Sequence, residues 1–334
     1  VTAKYFDFKP FKKLKQLTID NPNLISVDLS ENVNLENFKC WYSHSLISLD
    51  LSGCENLHDL FLASCKSLRE INVNGCESLE SLQCYRNYSL LSLDLKGCAN
   101  LKGASISRNP SLQEINVEGL SNLEVIYLYG NFFLDAVNLD NCQKLESISC
   151  QKNHSMEFLS LQNCSNLTQI DCKYNPALKE VYMNNCSSLN EINFDYGISD
   201  NQSLETLDLS GCTSLEGLYC QNNNLKNLFI DDCINLRYLL CNGNSLDDLD
   251  LSKYEQLESV YCNYNNIKNL TLRDPTWYAD WIYVTCDMDT NVIRKDISDE
   301  FNGNLLRITR VHKPVITTES IPSGFTRETF QASS

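Results

Sequence analysis

The sequence predicts a β-rich solenoid of about twelve turns, each of 21–22 residues, with two parallel β-sheets on opposite faces and little helix. Three observations predict it. From Leu46 the chain reads LISLDLSGCEN, LHDLFLASCKS, LREINVNGCES, LESLQCYRNYS and LLSLDLKGCAN, an eleven-residue self-similarity that holds almost without a break. The last apolar residues of each unit are two apart, which is strand periodicity with one buried face. Units of eleven residues leave little room for a helix between strands.

Each element follows in order. Residues 1–13, with Tyr5, Phe6, Phe8 and Phe11, read as an N-terminal cap, because an end turn otherwise exposes core and strand edge. Residues 14–275 are the solenoid. Units start at Leu14, Leu24, Leu35 and Leu46, the last at Ile267, and 24 fit before Pro275. They alternate between LxxLxCxxN, called type A, as in LESISCQKN from Leu145, and LxxLxLxxC, called type B, as in LLSLDLKGC from Leu90. One turn is therefore an A plus a B. Stacking at about 4.8 Å per turn gives a slab of roughly 55–60 Å. The unit at Leu189 is four residues longer and puts Asp195, Tyr196 and Asp200 in a loop; such insertions map to one face of a repeat protein. Residues 276–316, with Trp277, Tyr278, Trp281 and Tyr283, read as a C-terminal cap, with a short helix and a strand within 292–313, and the polar stretch 317–334 as a flexible tail.

The ninth position is Asn in A units and Cys in B units. Buried Asn at a turn bonds backbone groups, and stacking repeats the bond as a ladder through Asn87, Asn109, Asn131, Asn153, Asn175, Asn223, Asn244 and Asn265. The pattern LxxLxLxxN/C resembles the leucine-rich repeat family over about 260 residues. Its alternating form looks like the short bacterial subclass sometimes called IRREKO, frequent in gut Bacteroidetes as cell-surface or secreted proteins. The resemblance implies a right-handed curved solenoid with a binding role. The missing helical segment departs from ordinary members and argues against strong horseshoe curvature.

The 17 cysteines are too many for a typical cytosolic enzyme, but 16 fall on two repeat positions and only Cys286 lies outside. At the sixth position Cys exchanges with Leu62, Ile106, Leu128 or Phe194, which is how a free thiol behaves in a core. The reading is a reduced, buried ladder. Its rivals are disulfides between turns and a soft-metal site; no CxxC gives zinc spacing. Thiol titration of the denatured chain separates them.

Positions three, five and seven point outward. On A strands they carry Trp41, Phe61, Tyr85, Tyr127, Tyr129, Tyr219, Tyr238 and Tyr261, while Tyr42, Tyr174, Tyr196 and Tyr264 lie at the eighth position, on the sheet's edge. Gly103, Ala104, Ser105 and Ser107 leave a shallow gap between them. Tyr and Trp give large contact area with little entropy loss, so Trp41, Phe61, Tyr85, Tyr127, Tyr129, Tyr174, Tyr196, Tyr219, Tyr238, Tyr261 and Tyr264 are the candidate partner-binding set. Cross-strand stabilisation of the sheet is the competing explanation. On B strands the fifth position is mostly Asp with Asn interruptions, read as relief of repulsion between stacked like charges.

Lys plus Arg total 27 and Asp plus Glu 43, a net charge of −16 that lies on the solenoid. It disfavours nucleic acid and anionic membranes and favours basic or neutral partners. No run of about 18 apolar residues predicts membrane insertion. His44, His58, His154 and His312 do not converge, and GxSxG, HExxH, GxxxxGK[ST] and calcium-loop patterns are missing, so no catalytic, metal or cofactor site is expected. Sequons such as those at Asn87 and Asn269 follow from the repeat's own composition. The expected function is non-enzymatic protein recognition on the aromatic face, with glycan binding or a structural spacer as alternatives. A monomer is the expected state. The start at Val1 suggests a trimmed export signal and a surface or secreted location, with cytoplasm as the alternative.

Overall fold

The computed structural model describes residues 4–193, 203–273, 282–295 and 306–311. Among these residues there is no helix, and therefore none long and apolar enough to cross a membrane. Short strands alternate between two ladders, and A strands pair only with A strands, B strands only with B. Asn37–Trp41 lies between Gln16–Ile19 and Asp59–Ala63. All pairs are parallel, and each residue faces its equivalent one turn away, as in Phe38↔Leu60 on the A side and Val27↔Leu49 on the B side. The described residues form a β-solenoid of parallel strands.

The ladders are segmented. The A side forms an eight-stranded sheet from Gln16–Ile19 to Gln169–Asp171, then a six-stranded sheet from Glu191–Asn193 to Leu306–Val311. The B side forms sheets of three, two, five and three strands. Pairing runs on past residue 275, where the leucine spacing stops: Ile282–Asp287 continues the A ladder and Asn291–Lys295 the B ladder. Within 292–313, where a helix and a strand are expected, both described parts are strands.

Alternation sets the core. In Asn37–Trp41, Phe38 and Cys40 are buried while Lys39 is exposed. The unit's leading leucines are buried as well, as at Leu35, Leu46 and Leu57. All 17 cysteines are free thiols in the interior. Cys40 and Cys65, from consecutive turns of the A ladder, have their sulfurs 3.7 Å apart.

The ninth residue holds one turn to the next. Asn131 accepts from the Asn109 N–H at 3.0 Å, and its amide donates to the Ile106 and Leu128 carbonyls at 2.7 and 2.9 Å. The same contact repeats from Cys65 N–H through Asn87, Asn109, Asn131 and Asn153 to Asn175. Past the last rung, buried Asp287 accepts the N–H groups of Tyr264 and Asn265. On the B side the thiol takes the equivalent place: Cys54, Cys76, Cys164 and Cys186 donate to carbonyls one turn back at 3.2–3.3 Å.

At the N-terminal end, Phe8 is buried and packs against Phe6, and Asn32 donates to the Phe8 and Phe11 carbonyls. The sequon residue Asn87 is itself buried in the ladder, its amide on the Leu62 carbonyl.

Candidate recognition surface

The eighth residue of most described units turns the chain out of the strand with positive φ, a conformation that glycine and asparagine tolerate best. On the B side those residues supply it, as at Gly97 (φ 97°), Asn163 (φ 62°) and Gly211 (φ 78°). A Cβ at Gly211 would meet the Asn185 side-chain oxygen at 2.4 Å and its backbone N and Cα at 3.0 Å, so a side chain there would force the neighbouring turn to shift. On the A side the same conformation is imposed on large side chains: Tyr42, Arg86, Arg108, Lys152, Tyr174 and Tyr264 have φ between 53° and 62°. Each such residue costs on the order of 1 kcal/mol or more. The next turn holds the backbone in place, as where Arg108 N–H donates to the Tyr129 carbonyl at 2.7 Å.

The outward aromatics form separate groups along the A strands. Trp41, Phe61 and Tyr85, on consecutive A strands, make edge-to-face contacts at centroid distances of 6.0 and 5.5 Å. Then comes the gap at Gly103, Ser105 and Ser107. Tyr127 stands beyond it, 46% exposed, between Ser105 and Ser149 in register. Tyr129 has Arg108 from the preceding turn 5.6 Å from its ring centre and Lys152 from the following turn at 5.5 Å. Lys152 also lies 5.5 Å from Tyr174, so cation and ring alternate along the edge from Arg108 to Tyr174.

Tyr219, Tyr238, Tyr261 and Tyr264 belong to the second A sheet. The Tyr219 ring fills the space that Gly217 leaves. Burial and the nearby Glu191 push the Tyr219 phenol above its ordinary value. Tyr238 is tied into the fold: its hydroxyl donates to Glu258 at 2.7 Å, Arg237 lies 5.5 Å from its ring, and Arg237 also pairs with Glu216 and Glu258. The Glu258 bond pushes the Tyr238 phenol up. Tyr261 and Tyr264 are exposed. Tyr196, Asp195 and Asp200 lie outside the described residues, as do Trp277, Tyr278 and Trp281.

Sequence reasoning missed the cations. Arg86, Arg108 and Lys152 share the eighth-position column, and the readable signal was a long side chain at a position that many B units give to Gly or Asn. The opposite edge of the same sheet carries acids at positions two and three, including Glu36, Asp59, Glu80, Glu124 and Glu146. There Gly103 opens a shallow groove lined by His58, Asp59, Glu80, Lys102, Glu124 and Val125. The A face is thus polarised across its width, which the net charge of −16 conceals.

The B face is occupied by its own structure. The fifth-position Asp or Asn accepts the N–H two residues on: Ser30 to Asp28, Asn74 to Asn72, Lys96 to Asp94 and Glu118 to Asn116, all at 2.9–3.1 Å. Asp and Asn exchange in this column because either supplies that acceptor, a reason more direct than relief of repulsion.

No family model matches the chain, and no curated protein matches it. Among solved structures it is similar to the functional domain of InlJ from Listeria monocytogenes, described as including a cysteine ladder, at 20% identity over 85% of this chain and 62% of that one, TM-score 0.41. It is similar to the LRIM1/APL1C complex at 16% identity over 92% and 66%, TM-score 0.44. A leucine-rich repeat protein from Bacteroides ovatus gives 14% identity over 86% and 85%, TM-score 0.29. The chain spans 62% of the InlJ chain's length.

Proposed function

We propose that the chain is a non-enzymatic recognition module that docks a protein partner along the outward face of its A strands. The observation that carries this reading is the contrast between the ladders. On B strands Asp28, Asn72, Asp94 and Asn116 are spent on closing their own turns, whereas on A strands Trp41, Phe61, Tyr85, Tyr127 and Tyr261 hold rings at the outward positions. Tyr127 and Tyr261 stand exposed, and Trp41, Phe61 and Tyr85 form a ready-made cluster. Exposed aromatics on a rigid sheet bind with little ordering cost. The likeness of the alternating motif to the Bacteroidetes-type subclass supports a cell-surface or secreted location.

One observation favours a second reading, a glycan platform. The ring of Tyr127 has only serines beside it in the same column, which leaves space for a flat sugar face.

The triple variant Tyr127→Ser, Tyr129→Ser, Tyr219→Ser should keep its fold, since surface substitutions cost little. Immobilised wild type should retain a protein from its native community that the variant does not. A variant that retains the same protein removes the reading. A glycan-array signal abolished by Tyr127→Ser alone would replace it with the second.

A further inference from the structure

The eighth-position edge of the first A sheet stands out by charge as well as by backbone. Four lysines elsewhere on the solenoid are neutralised by an acid in the same column of the adjoining turn. Lys96–Glu118, Lys102–Glu80, Lys179–Glu157 and Lys226–Glu205 all bridge at 2.9 Å. Arg86, Arg108 and Lys152 have no ion pair among the described residues. Arg86 and Arg108 sit on consecutive A turns about 4.8 Å apart, like charges stacked with no acid between them. Both, and Lys152, are held in the left-handed conformation that B units give to Gly or Asn. Stacked like charge and unfavourable φ both oppose folding, and among the described residues no acid pairs with these side chains.

We propose that this edge, from Arg86 through Arg108, Tyr129 and Lys152 to Tyr174, binds an extended acidic segment of the partner protein. The proposal rests on the protein-recognition reading of the same face and names the chemistry the partner presents. Charge complementarity selects the occupant: a row of unpaired cations on a protein otherwise strongly acidic repels other surfaces of its own kind and attracts a run of carboxylates. The rings select against a stacked sugar here. Tyr129 already has a cation against it from each side along the column, and Lys152 is shared with Tyr174, so ring faces are taken. What remains for a ligand is ammonium and guanidinium N–H, which hydrogen-bond carboxylates. The rings hold those cations at fixed spacing and lower their ordering cost on binding.

The test sets local charge against net charge. Fluorescein-labelled decaglutamate, decalysine and a ten-residue oligogalacturonate are titrated into the full chain at about 20 mM salt, where screening is weak. The net charge of −16 by itself favours decalysine. The expected result is decaglutamate binding at least about tenfold tighter than decalysine, and weakened about tenfold or more by Arg108→Glu with Lys152→Glu. The thermal midpoint of that variant checks that it folds. Equal or tighter binding of decalysine, no binding of decaglutamate, or decaglutamate binding indifferent to the double variant overturns the proposal. So does tighter binding of oligogalacturonate that the double variant abolishes, which would make the ligand an anionic glycan. A separate variant, Tyr127→Ser with Tyr219→Ser, tells the two readings apart. Decalysine preferred by wild type and lost in that variant would sink the acidic segment and leave the aromatic face in use. Decaglutamate bound normally by it would confine recognition to the cationic edge.

Discussion

The two halves of every turn do the same mechanical work with different chemistry. In a B half-turn the ninth residue's N–H is satisfied locally by the carbonyl three residues back, as from Cys164 to Leu161 at 3.2 Å. The thiol then adds one contact to the preceding turn, Cys164 to the Leu139 carbonyl. In an A half-turn that local bond is missing. The Asn109 N–H finds its acceptor only on Asn131 of the next turn. The A side chain is therefore a structural requirement, whereas the B side chain is an apolar filler with a weak donor. This is why Cys can stand at the ninth position of B units, and why Asn recurs as a continuous ladder on the A side. The difference also bears on where binding residues can go: in the B half-turns of Asp28, Asn72, Asp94 and Asn116 the fifth position is committed to an Asx bond.

The largest expected effect tests what the two ladders share, which is burial of their thiols. Burial, with the Asp94 charge, pushes Cys98 up to about 11, and burial pushes Cys84 and Cys220 to about 12, against an ordinary value of 9.0. Burial also takes Cys54, Cys164 and Cys212 to about 12. A raised folded value means that the native state keeps protons the unfolded chain releases. Stability is thus fully present below pH 9 and is lost as pH rises from 9 towards 11–12. Each thiol contributes up to about 1.4 kcal/mol per pH unit in that window, so several together outweigh a typical folding free energy. The urea midpoint should be flat from pH 6 to 8 and collapse by pH 10.5. A midpoint that holds at pH 10.5 would mean that the thiols are not buried as protonated groups.

The next effect separates the ladders. Asn131→Ala removes an acceptor from a buried N–H and a donor from two carbonyls, and should cost about 3 kcal/mol. Cys164→Ala loses one sulfur's packing and a weak donor, and should cost about 1 kcal/mol. Equal shifts in the denaturation midpoints of the two variants would break the distinction between required and filler residues.

Much of this was legible in the sequence because it is periodic. The spacing of Leu14, Leu24 and Leu35 marks the strands, the inward Phe38 and Cys40 mark the core, and the Asn column from Asn87 marks a ladder. The rest depends on neighbours one turn away, which a linear pattern does not display. The left-handed backbone at Arg108 is set by its bond to Tyr129. The cation–ring alternation needs Arg108, Tyr129 and Lys152 side by side across 22-residue steps. The division of the A side into two sheets after Gln169–Asp171 has no mark in the Leu spacing beyond the longer unit at Leu189. Among the candidate rings, Tyr238 shows the limit of reading by residue type: its hydroxyl is committed to Glu258, which only the fold reveals.

The smallest effect probes the B face from the other side. If the fifth-position acid serves as an acceptor and not as a charge, Asp94→Asn should be silent, within about 0.5 kcal/mol, because its carbonyl oxygen still receives the Lys96 N–H now bonded at 2.9 Å. Asp94→Ala leaves that N–H to solvent and should cost about 1 kcal/mol, the usual magnitude for a lost side-chain cap. The amide introduced by Asp94→Asn would extend the column that Asn72 and Asn116 already occupy, a juxtaposition the parallel register allows, since Asp94 pairs with Asn116. Neither variant should alter binding at the A face, on the far ladder. A large loss of stability from Asp94→Asn would show that the carboxylate charge itself matters, and the B column would again have to be read as electrostatics.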